Sequence, residues 1–239
     1  MFLKRKKKEA VKACCAVIVA AGSSRRMGGE NKLLLDLAGA PVLAHTLSAF
    51  EHCSAVRDIV LVCREQDIVT FSSLAERYGI SKLRTAVRGG ESRTASVLAG
   101  VRACPEDAEL VAVHDGARPL VSGAVIAQAV EAAAQGGAAA PVVALKDSIK
   151  RVRDGYIEQD VPRERIAAVQ TPQVFGKTLL ERALTAAARE GKAFTDDCAA
   201  VEAFGTPVRA TQGDYENIKI TTPEDILLAE AILQGREPY

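Results

Sequence analysis

Ala16-Val17-Ile18-Val19-Ala20-Ala21-Gly22-Ser23-Ser24-Arg25-Arg26 is the stretch on which the fold turns. An unbroken β-branched run feeds a loop of small residues that ends on two arginines. A strand with no polar alternation is buried on both faces, as happens when helices cover both sides of a parallel sheet. Small residues at Ala20, Ala21 and Gly22 let phosphates approach the backbone N–H groups of the loop, where larger side chains would hold them off. Arg25, Arg26 and Lys32 then offer cations for a triphosphate and for the extra charge on a departing pyrophosphate. An ordinary strand-to-helix turn with solvated basic residues fits the same segment. The Gly-Lys-Ser/Thr ending of a P-loop is missing and no G-x-G-x-x-G follows the strand, so P-loop hydrolase and ordinary dinucleotide-binding readings lose ground.

Comparable apolar runs recur at Ile59–Val62, Leu110–Val113 and Ala139–Leu145, separated by helix-like spacing such as Val42–Phe50 and Ala124–Gln135. This alternation predicts an α/β fold with a mostly parallel sheet and helices on both faces. Ligands of such sheets gather at the carboxyl ends of the strands, where the loops beginning at Ala20 and His114 both fall. Residues 146–170 change character: Lys146, Asp147, Lys150, Arg151, Arg153, Asp154-Gly155 and Tyr156 read as a charged hairpin with a good turn signal at its tip. Such a hairpin is a surface flap or an arm that docks on a second subunit.

The length of 239 residues suits one large domain, expected over 13–239. A net charge of +1 argues against a general nucleic-acid or membrane surface and favours a small ligand. The exception is Lys4-Arg5-Lys6-Lys7-Lys8, read within residues 1–12 as a basic, solvated and disordered start. This start and the apolar run behind it imitate a signal peptide, but the run is short and cleavage would remove the phosphate loop, so it is read as the first buried strand. No stretch reaches the roughly 18 apolar residues of a membrane helix. The six cysteines show no C-x-x-C spacing and mostly lie in apolar segments, as suits buried thiols in a reducing cytoplasm. Cys198 follows Asp196-Asp197, and acidic neighbours argue against a nucleophilic thiol.

Three further segments carry chemistry. Gly89-Gly90-Glu91-Ser92 precedes a helix running to Arg102, and its free N–H groups together with Ser96 suit a base and ribose; Glu91 and Ser92 also suit simple capping. His114-Asp115-Gly116-Ala117-Arg118-Pro119 ends a strand with a carboxylate that could hold hydrated magnesium near phosphates, or pair with Arg118. His114 is a candidate base, although a strand-end histidine is more often structural. Between Asp214 and Asp225, Lys219 could face the cleft from a strand, ahead of a helix start at Thr222-Pro223-Glu224.

In this order these segments resemble the 2-C-methyl-D-erythritol 4-phosphate cytidylyltransferases of the non-mevalonate isoprenoid pathway. The matching motifs are Ala20-Ala21-Gly22 with Arg26 and Lys32, Gly89-Gly90 with Ser96, the His114–Pro119 run, Gln170-Thr171-Pro172-Gln173, and Asn217-Ile218-Lys219. The resemblance implies a Rossmann-like three-layer sandwich whose protruding β-hairpin arm is used for dimerisation. It also implies a Mg²⁺-dependent transfer of CMP from CTP to methylerythritol phosphate. Arg26, Lys32 and Lys219 would be catalytic; Ala20, Ala21, Gly22, Gly90, Glu91, Ser96, Asp115 and Gly116 would bind the nucleotide, with Asp115 holding the metal through water. Ser148, Arg163, Thr171 and Asp214 would hold methylerythritol phosphate, Arg163 reaching from the partner of a homodimer, with Arg165 competing for that role. A cytidylyltransferase for another polyol phosphate, such as ribitol 5-phosphate, and a non-catalytic nucleotide-binding module are the competing readings.

Overall fold

The computed structural model describes residues 13–22 and 31–236. Its strands are β1 (Cys14–Ala20), β2 (Asp36–Leu37), β3 (Ala40–Pro41), β4 (Asp58–Cys63), β5 (Leu83–Arg88), β6 (Leu110–Asp115), β7 (Ala138–Ala144), β8 (Ile149–Arg153), β9 (Tyr156–Val161), β10 (Ala167–Val169), β11 (Gln173–Gly176) and β12 (Arg209–Gln212). The helices are α1 (Val42–Glu51), α2 (Ile68–Arg77), α3 (Arg93–Ala103), α4 (Gly123–Gly136), α5 (Lys177–Arg189), α6 (Asp197–Ala203) and α7 (Pro223–Gly235). The main sheet runs β10-β7-β11-β6-β1-β4-β5, and β12 pairs with β7. Strands β6, β1, β4 and β5 are mutually parallel. Strand β11 enters antiparallel between β6 and β7, and β10 pairs antiparallel with the end of β7. The sheet is therefore mostly parallel, as expected.

The unbroken apolar character of β1 has a direct cause in packing. Ala16 and Ile18 point into one core, shared with α1, α2, α4 and α7, while Cys15 and Val17 point into a second core under α3, α5 and α6. Both faces of the strand are thus covered. Each such valine or isoleucine contributes roughly 1.5–3 kcal/mol by leaving water. Helix α3 approaches the sheet closely because Gly100 carries no side chain: a Cβ there would sit 2.5 Å from Val17 Cγ1 and 2.6 Å from Val62 Cγ2.

The segment read from sequence as a hairpin over 146–170 divides in two. Strands β8 and β9 form a separate two-stranded ribbon, and β10 returns to the main sheet. The ribbon turns at Asp154 and Gly155, at φ of 52° and 84°, the left-handed pair that matches strand twist. Val152, Tyr156 and Ile157 stand exposed on it.

Candidate active site

The chain passes from β1 outward to β4 and β5, then returns to the other side of β1 with β6. Loops leaving β1 and β6 therefore diverge, and a crevice opens at their carboxyl ends. It forms a cleft of about 340 Å³. Ala20, Ala21, Gly22 and Lys32 line it from behind β1; Gly90, Glu91, Arg93 and Ser96 line it from the start of α3; Asp115 stands at the end of β6, and Lys219 closes it from the carboxyl-terminal segment. Arg26 lies outside the described residues, as do residues 1–12.

Asp115 and Lys219 make the central charge pair, with Lys219 Nζ 2.9 Å from Asp115 Oδ2. Burial works to raise the Asp115 pKa, but Lys219, followed by Arg118 and Arg93, outweighs it and holds the carboxyl at about 2. The group is a carboxylate throughout the physiological range. Lys32 donates from Nζ to the Ile220 carbonyl at 2.8 Å, which joins it to the strap that carries Lys219. That strap is fixed from below. Buried Asn217 donates to the Thr171 carbonyl at 2.9 Å, and Ile220 N–H donates to Ala117 O at 2.8 Å. Gln170 holds the preceding turn by accepting from Asp214 N–H and donating to the Asp214 carbonyl.

His114 is wholly buried and not available as a base. Its Nε2 lies 3.2 Å from the Arg118 carbonyl, so this nitrogen carries the proton, and Nδ1 accepts from the Thr171 hydroxyl at 2.9 Å. Burial pushes its pKa down to about 4. The Thr171 hydroxyl in turn accepts from Asp115 N–H at 3.3 Å, so this histidine and threonine orient the end of β6. Cys198 is equally inert: burial, reinforced by Asp196 and Asp197, pushes its thiol far up.

The glycines at the start of α3 are required by close approach. A Cβ on Gly89 would meet Ala21 Cβ at 2.8 Å and Ser96 Oγ at 2.9 Å. Ser96 accepts from Gly90 N–H at 3.1 Å and donates to Ser92 O at 2.8 Å, while Ser92 caps α3 by accepting from Ala95 N–H. Ser92 thus caps the turn, and Gly90, Glu91 and Ser96 border the cleft. Gly89→Ala is expected to push the loop behind β1 away from α3 and raise the KM for nucleotide by about tenfold, consistent with a 1–3 kcal/mol overpacking strain. Initial rates over a nucleotide series check this; an unchanged KM would contradict the close-approach argument.

Five of the residues assigned to the site from the sequence do not line this cleft. Ser148 is exposed beside the ribbon, and Arg163 donates to the Lys146 carbonyl at the ribbon's base. Asp214 accepts from Glu216 N–H at 2.9 Å within its own turn. Thr171 lies beneath the cleft floor with its hydroxyl engaged as described. Gly116 adjoins the floor; a Cβ there would meet Val19 O at 3.2 Å. Arg93 is the cleft residue that sequence reasoning passed over. A signal was present: a cation in the first turn opposes the helix dipole and calls for an acidic partner. Among the described residues no group of three or more His, Cys, Asp or Glu side chains is placed to hold a metal; the carboxylates lining the cleft are Asp115 and Glu91. No helix among them is long and apolar enough to cross a membrane.

The profile of the 2-C-methyl-D-erythritol 4-phosphate cytidylyltransferase family matches residues 14–235. Enzymes bearing that name from Halalkalibacterium halodurans and Desulforamulus reducens are each 46% identical to the chain, over 209 and 213 residues, covering 91% of each relative and 87% and 88% of this chain. A crystal structure of 4-diphosphocytidyl-2C-methyl-D-erythritol synthase from Anaerococcus prevotii superposes with a TM-score of 0.84 at 32% identity, covering 94% of this chain and 97% of that one. The cytidylyltransferase from Thermus thermophilus gives 0.73 at 33% identity over 92% and 98%. Matched along nearly its whole described length by profile, relatives and structures alike, the chain belongs to the 2-C-methyl-D-erythritol 4-phosphate cytidylyltransferase family.

Proposed function

We propose that this cleft transfers CMP from CTP to 2-C-methyl-D-erythritol 4-phosphate, giving 4-diphosphocytidyl-2-C-methyl-D-erythritol and pyrophosphate. The observation that carries the reading is the meeting of Lys32, Lys219 and the ionised Asp115 at a crevice edged by the Gly89-Gly90 turn. A phosphate oxygen of the acceptor forms a bond to the α-phosphorus of CTP. The bond from that phosphorus to the β-bridging oxygen breaks, and the electron pair leaves with pyrophosphate. No proton has to be removed by the protein, because the acceptor phosphate loses its second proton near pH 6 on its own. This agrees with His114 being buried and committed to Thr171 and Arg118. The protein's work is to hold two anions in line and offset the charge that develops between them.

Lys32 and Lys219, with Arg26 by resemblance, are assigned to the triphosphate; Ala20, Ala21, Gly22, Gly90, Glu91, Ser96 and Gly116 to the nucleotide. The residues fit a Mg²⁺ ion carried by CTP, since one ionised carboxylate beside a phosphate site matches an ion that keeps most of its waters. Asp115 would hold it through water, and when bound it neutralises triphosphate and leaving-group charge. Ser148, Arg163, Thr171 and Asp214 are assigned to the acceptor, Arg163 reaching from the partner protomer of a homodimer. The exposed Val152, Tyr156 and Ile157 on the ribbon support that role. Residues 13–239 are read as one nucleotidyltransferase domain, and the six buried free thiols suit a reducing cytoplasm.

The test is pyrophosphate release from CTP and Mg²⁺ with methylerythritol phosphate or ribitol 5-phosphate. Release with the first alone is expected; release with the second alone would move the enzyme to another polyol, and none with either would leave a nucleotide-binding module. The acceptor kcat/KM is further expected to rise with unit slope below about pH 6 and stay flat from about pH 7 to 9, following the acceptor phosphate. A second acid limb from a histidine would contradict the assignment of His114.

A further inference from the structure

One short segment at the start of β11 braces the cleft from two sides. Gln170 and Thr171 hold the strap that carries Lys219, through Asp214 and Asn217. Gln173 reaches the other way. Its backbone is paired opposite Val113 of β6, and its side chain lies on the same face of β11 as Phe175, toward the core under α3, α5 and α6. There its Oε1 accepts from the N–H groups of Asp197 at 3.0 Å and Cys198 at 3.1 Å, and its Nε2 donates to Asp196 Oδ2 at 2.9 Å. Free N–H groups in the first turn of α6 are thus satisfied by a buried side chain of the central sheet. Held in that turn, Asp197, whose side chain is 1% exposed, accepts from Arg93 Nη2 at 2.8 Å.

Arg93 is where this series of contacts reaches the cleft. It stands in the first turn of α3 among Gly90, Glu91 and Ser96, which are assigned to the nucleotide. A tie between α3 and α6 does not by itself account for it. Apolar side chains join packed helices as well as a buried ion pair does, and a cation in the first turn of a helix opposes its dipole. What the pair adds is direction. A guanidinium has five N–H donors in a planar fork, so one bond to Asp197 orients the fork and leaves other donors for acceptors in the cleft. We propose that Asp197 and Gln173 are positioning residues for the nucleotide: Gln173 sets Asp197, and Asp197 sets the Arg93 fork against CTP. This rests on the nucleotide site of the reaction proposed above.

The test is calorimetric titration with CTP and Mg²⁺, alongside initial rates and thermal midpoints, on wild type, Asp197→Ala, Asp197→Asn, Gln173→Leu, Arg93→Ala and Arg93→Ala/Asp197→Ala. For Asp197→Ala the Kd for CTP is expected to rise about tenfold, and for Gln173→Leu about threefold, as befits the loss of hydrogen bonds that orient a charged group. The acceptor KM should stay within about twofold in both. Asparagine at 197 keeps an oxygen for Arg93 Nη2 and should recover part of the loss. Because Asp197 acts through Arg93, the double variant should bind CTP as weakly as Arg93→Ala alone, within about twofold. Its thermal midpoint should nevertheless exceed that of Arg93→Ala, since the stranded carboxylate is gone. Losses that multiply in the double variant would overturn the proposal, as would a Kd that recovers together with the midpoint, or a rise in the acceptor KM in place of the Kd for CTP. The reaction is judged separately. Absence of pyrophosphate release by wild type with either acceptor would count against the proposed transfer and leave the CTP titrations to decide on Asp197 and Gln173. Wild-type turnover with an unaltered Kd in the variants would count against these two residues alone.

Discussion

Replacing Lys219 with alanine is expected to slow pyrophosphate release by about 10²–10³-fold at saturating substrates while leaving the fold intact. The side chain is 44% exposed, so little packing is lost with it. Its ammonium lies 2.9 Å from Asp115 and lines the cleft proposed to hold the triphosphate. Two effects combine in the variant. On the proposed assignment, a cation at the departing pyrophosphate disappears, and the charge of Asp115 is left facing the triphosphate with less to offset it. With Lys219 gone, the Asp115 pKa should move up from about 2, because burial alone raises it. It remains ionised at neutral pH, so the repulsion persists. Single-turnover rates with a thermal midpoint check this. A loss below tenfold, with the fold intact, would remove Lys219 from the transition state.

Phe50→Ala is expected to be the costliest substitution for stability among those named, at about 3–5 kcal/mol, and to lower the thermal midpoint by roughly 10 °C. The ring is fully buried on α1 and lies against His114, with centroids 4.8 Å apart and planes tilted by 56°. Its loss opens a cavity beneath the residue that orients Asp115. A pH effect should accompany it. His114 is neutral in the fold because burial holds its pKa at about 4, against an ordinary 6.5. Below pH 6.5 the unfolded chain binds a proton that the folded chain refuses, so the stability this group contributes at neutral pH is lost as pH falls toward 4. Admitting water beside His114 raises its folded pKa and shrinks that loss. Urea midpoints at pH 7 and pH 5 should therefore differ less in the variant than in wild type, and an equal difference would show that Phe50 does not govern the burial of His114.

Several elements could be read locally and several could not. Strands β1, β4, β6 and β7 announce themselves because both faces are buried and the chain is apolar at nearly every position. Strand β5 stands at the sheet edge with Arg84 and Arg88 exposed, and β11 is four residues long and begins on a buried glutamine, so neither carries that pattern. The tip of the ribbon was legible because Asp154-Gly155 meets a requirement for positive φ that few residue pairs satisfy. The return of β10 to the main sheet was not, since a three-residue strand is set by its partner β7 and not by its own composition.

The site divides along the same line. The small residues behind β1, the capped glycine turn before α3 and the acidic end of β6 were legible locally, because each answers to a constraint satisfied within a few residues: close approach of backbone, an N-cap, a strand terminus. Tertiary structure alone decided that Lys219 meets Asp115, that Lys32 is anchored on the Ile220 carbonyl, and that Arg93 is held by Asp197. These partners lie far apart in the chain, and charges attract over a few ångströms of space whatever their separation in sequence. Only the order of strands around β1, which opens a crevice where the chain reverses direction, brings them within that reach.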